Sequence, residues 1–265
     1  MIASALHLSM DEEKPLDYED DLSNEKKDEV DGERNDNLND PREKINSFLK
    51  NIIQNSQKYY TLGKEITIDE SMIKFEGRNN MIFYIPSKPI KWGFKLHCLV
   101  DSNSNYLYNV IFDPCKDNKN LIIINDEDSF TENIVLSLVK NIENSGRTLF
   151  FDSWYSSISL IHKLTNKGFR VVTTLRKNAK NLPNKEDLEN SSKHYAFSNE
   201  NNCFIQLYKD KKDVYFASNF KENIEDIKDY YNEKNRGVDI MDQYISYYNI
   251  ERRSIKWWKK IFFFE

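Results

Sequence analysis

The chain has 265 residues, 39% of them hydrophobic, with 16 Phe and 15 Tyr against only 7 Gly and 6 Pro, which supports a packed core and excludes a collagen-like or linker-dominated chain. Its net charge of −5 averages two unlike parts: residues 11–44 carry 15 acidic and 6 basic side chains, a net of −9, which leaves +4 for residues 45–265. Three cysteines and four histidines without C-x-x-C or H-x-x-x-H spacing argue against a zinc site, and no apolar run approaches the ~20 residues of a membrane span, so a soluble intracellular protein with no membrane partner is expected.

Residues 1–45 read as an acidic, partly disordered N-terminal segment, because 11–45 are too polar to offset the entropy of ordering. Met1 to Met10 has no basic n-region and too short an apolar stretch for a signal peptide. A helix follows Pro41, with Ile45, Phe48, Leu49, Ile52 and Ile53 at helical spacing. Strands are then predicted at 65–75, 81–86, 92–101 and 106–114, the last two joined through the polar turn Ser102–Asn105. Ile134, Leu138 and Ile142 predict a helix over 131–144. The apolar run 147–152 reads as a strand that ends in Asp152, 157–168 as a helix closed by Gly168, and 169–176 as another strand.

Residues 178–222 are polar and Asn-rich around two short strands, 203–208 and 213–218, and read as a β-rich insertion. Helical patterns return at 224–234 and from 237 onward. The chain stops at Ile261–Glu265 within an apolar pattern that no cap closes, which reads as a truncated product. The expected division is therefore an acidic segment (1–45), the first part of a core (46–177), a β insertion (178–222) and the last core helices (223–265).

Three aspartates stand at positions where chemistry could use them. Asp69 is mid-strand, Asp152 ends a strand, and Asp239 starts a helix with Asp242 one turn later on the same face. Phosphodiester chemistry needs stabilisation of both the entering and the leaving oxygen, which two hard cations held by carboxylates supply. In a chain this acidic, spacing alone does not establish such a site.

Local sequence goes further. "ITIDESMIKFEGRNNMIFYIPSKPIKWGFKLHCLVDS" (66–102), "FFDSWYSSISLIHKLTNKGFRVVTTLRKNAKNLP" (150–183) and "YYNEKNRGVDIMDQYISYYNIERRSIKWWKK" (230–260) resemble, in order, the three catalytic blocks of piggyBac-type DNA transposases and their domesticated relatives. The separations are comparable too, 83 residues from Asp69 to Asp152 and 87 from Asp152 to Asp239. The resemblance implies an α/β, ribonuclease-H-like mixed sheet flanked by helices, with a small β insertion before the last catalytic Asp. It implies a DDD triad of Asp69, Asp152 and Asp239, with Asp242 as an accessory metal ligand. It also implies Mg2+ or Mn2+ as cofactor, cut-and-paste cleavage and strand transfer at TTAA, action in the nucleus, and no small-molecule substrate. The partners it implies are transposon-end and target DNA, with a homodimer allowed.

The alternative is a domesticated or truncated, catalytically inactive DNA-binding or interaction protein. Two departures bear on it: Arg236 precedes Gly237-Val238-Asp239 where the family often has a second glycine, and Glu76 replaces a cation of the first block. Lys88, Lys91, Lys95, Arg176, Lys177, Arg252, Arg253 and Lys256 are candidate DNA contacts. Trp257 and Trp258 are either part of that surface or core. His97 on its apolar strand is expected to be a satisfied core histidine, and Trp154 and Tyr155 are expected to pack against the sheet.

Overall fold

The computed structural model describes residues 40–265, apart from 87, 115–121, 123–124, 143–145, 191–194, 199–202, 210, 221–223, 249–253, 255 and 263–265. The expected disorder of the acidic segment lies outside the described residues up to position 39, as do Arg252, Arg253 and the last three residues of the apolar pattern read as a truncated end.

In chain order the elements are α1 (Glu43–Tyr59), β1 (Glu65–Lys74), β2 (Phe83–Tyr84), β3 (Trp92–Asp101), β4 (Leu107–Phe112), α2 (Phe130–Leu138), β5 (Thr148–Phe151), α3 (Ile158–Asn166), β6 (Arg170–Leu175), α4 (Lys185–Asn190), β7 (Tyr195–Ser198), β8 (Cys203–Lys209), β9 (Asp213–Ser218), α5 (Ile224–Lys234), α6 (Gly237–Tyr247) and α7 (Trp257–Phe262). The nine strands among the described residues form one sheet in the order β2-β3-β1-β5-β6-β9-β8-β7. β4 pairs β3 on the edge that β2 also uses. β1 is antiparallel to β3 and parallel to β5, and β6 is parallel to β5. β7 to β9, with α4, fall within 178–222 and continue the sheet antiparallel from β6.

Side-chain alternation along β1 divides the sheet into two packed faces. Ile66 and Ile68 point to one face, where α2 and α3 bury Ile134, Leu138, Leu160 and Leu164 over them with Leu149 and Phe151. Thr67, Asp69, Ser71 and Ile73 alternate onto the other, where Val238 and Met241 of α6 pack with Ile73, Val100 and Cys98. α1 adds Ile45 to this second layer. α5 adds Ile227 and Tyr231 against Phe150, Val172 and Phe216. Helices on both faces of a mixed sheet are what a strand set that reads apolar on both sides requires.

Four elements differ from expectation. The strand over 81–86 is only two residues of ladder, because β3 offers it a partner only at Trp92 and Gly93 before β4 takes the same edge. The helix over 131–144 ends at Leu138, where Val139 leaves helical geometry. α4 and β7 lie within the stretch read as polar, Asn-rich loops: α4 is polar throughout except Leu188, and β7, four residues long, is too short to stand out from its polar surroundings.

Candidate active site

The parallel ladder of β1 and β5 runs from Glu65↔Thr148 to Ile68↔Phe151. The next step along each strand is Asp69 and Asp152. Neighbouring strands lie about 4.8 Å apart, so the register itself places these two carboxylate residues side by side. β5 stops there: the Trp154 N–H donates to Asp152 Oδ1 at 2.8 Å and the Tyr155 N–H donates to the Asp152 carbonyl at 3.2 Å, turning the chain away. β1 continues to Lys74 with no ladder partner on that side among the described residues.

α6 brings the other two carboxylates. Its first residue, Gly237, lies against β1 and β3: a Cβ there would come within 2.9 Å of Val100 Cγ2 and 3.2 Å of Thr67 Oγ1. Just upstream, the Thr67 hydroxyl donates to the Lys234 carbonyl at 2.5 Å, and further along the Ser71 hydroxyl donates to Asp242 Oδ1 at 2.6 Å. Asp239, one turn before Asp242, is exposed. Gly237→Ala is therefore expected to push α6 off the strand, destabilising the protein by about 1–2 kcal/mol as an overpacked contact. Urea unfolding measures this; unchanged stability would show that the close approach is not required.

Glu70 was not singled out from the sequence and belongs to the site. Its carboxylate pairs with the Lys88 ammonium at 3.2 Å. By alternation it should face away from Asp69, but the two meet where β1 projects past β5, and the N–H of Glu70 donates to Asp69 Oδ1 at 2.8 Å. Glu70, Lys88, Asp239 and Asp242 line one cleft of about 600 Å³ whose wall also includes Arg236 and Met72.

The electrostatics follow from burial. Asp69 is raised well above the ordinary carboxylate range by burial and then by the neighbouring Glu70 charge. Asp152 is raised by burial, with Glu70 adding to it and Arg176 opposing. Asp242 is pushed up to about 6 by burial and the Asp239 charge, against the Ser71 hydrogen bond. Glu70 stays lowered despite its burial, held down by Asp69 and by the cations Lys88 and Lys95. Burial first, and neighbouring negative charge second, make Asp69, Asp152 and Asp242 resist ionisation.

The donors fit a hard divalent cation, being carboxylate oxygens only, carried on β1, the end of β5 and α6. They do not form a closed cage: among the described residues no three acidic, His or Cys side chains stand close enough to share an ion.

Beneath Asp152 lies a buried polar network. Tyr155 is fully buried and its hydroxyl meets His97 Nδ1 at 2.8 Å, while His97 Nε2 meets Asp113 at 3.1 Å. With the lowered Asp113 ionised, Nε2 carries the proton and Nδ1 accepts from the tyrosine. The Tyr155 phenol is pushed up by burial and by the charges of Glu70, Asp69 and Asp152, which places it beside the acidic groups. His97 is thus the satisfied core histidine the sequence suggests.

The sequence profile of the family Transposase IS4 matches residues 2–264. This chain belongs to that family. It is a piggyBac-type member: the human PiggyBac transposable element-derived protein 2 is 23% identical over 247 residues, 81% of this chain and 40% of its own length. The chain of a cryo-EM structure of the piggyBac transposase synaptic complex with hairpin DNA superposes with a TM-score of 0.73 at 27% identity, over 84% of this chain and 49% of that one. The chain therefore spans about half the length, or less, of these relatives. The mixed sheet flanked by helices is the ribonuclease-H-like fold of this family.

The transposase fold sorts the candidate basic residues. Lys91, Arg176, Lys177 and Lys256 are exposed. Lys95 is not a free DNA contact: it is 9% exposed, paired to Asp113 at 3.1 Å and enclosed by the rings of Phe83 and Trp154. Lys88 turns inward to Glu70. Arg252 and Arg253 lie outside the described residues. Trp257 packs on Phe94 and Phe112 and so belongs to the core rather than to a DNA surface.

Proposed function

We propose that this chain is the catalytic domain of a piggyBac-type transposase that cleaves and joins DNA with divalent metal. Asp69, Asp152 and Asp239 act as its acidic triad and Asp242 as a fourth donor. The observation that carries this reading is the register that sets Asp69 beside Asp152, with Asp242 of α6 hydrogen-bonded to Ser71 of the same strand. Mg2+ or Mn2+ held there would stabilise the entering and leaving oxygens of a phosphodiester. The protein's own part is to fix the carboxylates on rigid elements and to keep Asp69, Asp152 and Asp242 largely buried. Arg176, Lys177 and Lys91, all exposed, would meet backbone phosphates in this reading. The solved relative is a complex with hairpin DNA. DNA is accordingly the substrate proposed here, with TTAA as the target and the nucleus as the place of action.

The full chain, incubated with the DNA that flanks its own gene, is expected to nick the element ends only when Mg2+ or Mn2+ is present and to join them at TTAA. Salt-sensitive DNA binding with no metal-dependent nicking would overturn the enzyme reading in favour of a domesticated binding protein. Nicking without joining would reduce it to a nuclease.

A further inference from the structure

Lys88 sits where a bound cation would be useful. It lies two residues after Pro86 in the turn between β2 and β3, where its N–H donates to the Ile85 carbonyl at 3.3 Å. Its side chain is 27% exposed and that of Glu70 21%, and their charged ends are 3.2 Å apart. Lys88 lines the same cleft as Glu70, Asp239 and Asp242. Its charge is felt by, or feels, Asp69, Glu70, Asp239 and Asp242, four acids from β1 and α6. A surface lysine poised for DNA would hold its ammonium in water. This one is drawn into the acids instead.

We propose that Lys88 is a built-in counter-cation: its ammonium holds the carboxylates of β1 and α6 together in the metal-free protein, and an incoming divalent cation must displace it from Glu70. The proposal rests on the metal-dependent reading given above. It accounts for donors of the right chemistry that are spread around a lysine rather than closed into a cage. A tethered charge makes the empty site tolerable, since unpaired buried carboxylates repel one another. The same charge weakens metal binding, because two cations cannot share the space.

The test uses the full chain and Mn2+ alone as probe. Mn2+ binding is measured by calorimetry and by loss of the free-ion electron paramagnetic resonance signal, and thermal melting is followed in EDTA. Lys88→Met is expected to bind Mn2+ about tenfold more tightly than wild type, the effect of removing one repelling charge. In EDTA it should melt at a lower temperature. Lys88→Arg keeps the charge and should follow wild type in both measurements, which separates loss of charge from loss of fold. Binding by Lys88→Met no tighter than wild type, or an unchanged melt in EDTA, overturns the proposal. If neither protein binds Mn2+, the metal-dependent reading itself falls, and the displacement with it.

Discussion

Asp152→Asn is expected to remove metal-dependent DNA nicking while leaving the metal-free protein at least as stable as wild type. The amide oxygen of asparagine still accepts from the Trp154 N–H, so the turn that ends β5 is kept. What is lost is a charge beside Asp69. If that charge holds a cation that stabilises the reacting oxygens, the rate should fall by on the order of 10³-fold, equivalent to about 4 kcal/mol of barrier. Stability should move the other way. Asp152 resists ionisation in the folded protein because it is buried near Glu70, so a neutral replacement relieves a cost at neutral pH. Activity lost with stability held or gained is the signature of a group kept for chemistry. Cleavage of end-bearing DNA in Mn2+ and urea unfolding in EDTA read the two halves. Retained nicking would remove Asp152 from the triad, and a large loss of stability would recast it as structural.

The sequence and the structure agree best where the information is local. β1, β3, β5, β6, β9 and α5 follow apolar patterns that were legible to within a residue or two. The sequence blocks single out Asp69, Asp152 and Asp239, and the Ile68↔Phe151 register sets the first two side by side. Glu70 was not legible, because strict alternation assigns it to the face opposite Asp69. It joins the site only because β5 is four residues long while β1 runs on to Lys74. The inward turn of Lys88 is made to Glu70 and Asp69 of β1, a strand it does not pair with, and no local pattern reports that contact. Lys95 is a different case. In the β3–β4 hairpin Leu96 faces Phe112, so Lys95 and Asp113 are the next pair. The hairpin register thus brings Lys95 to Asp113 and takes its ammonium out of solvent.

The raised carboxylates make stability depend on pH in an unusual direction. Asp242 titrates near 6 in the folded protein against an ordinary value of 3.8. A group whose folded value is raised contributes fully below its unfolded value, and that contribution is lost as pH climbs through the folded value. Between about pH 4 and pH 7 the metal-free protein should therefore lose about 2–3 kcal/mol through Asp242 alone. Asp69 and Asp152 shift in the same direction. Asp101, Asp113 and Glu132 are held below the ordinary range by their partners and act oppositely: the stability they add accrues as pH rises from their lowered folded values to their ordinary values, and it is fully present above those. The two sets are separated by comparing wild type with Asp242→Asn, which keeps an oxygen for the Ser71 hydroxyl but cannot ionise. The two proteins should unfold alike near pH 4 in EDTA and diverge above it, with the asparagine variant the more stable at pH 7.5. Mn2+ should then close the gap from the wild-type side, because only the ionised aspartate gains a partner; a ligand at 100 times its Kd adds about 2.7 kcal/mol. Parallel stability curves from pH 4 to pH 7.5 would mean that Asp242 is ionised at little cost. The acidic wall of the cleft would then need no cation to settle it.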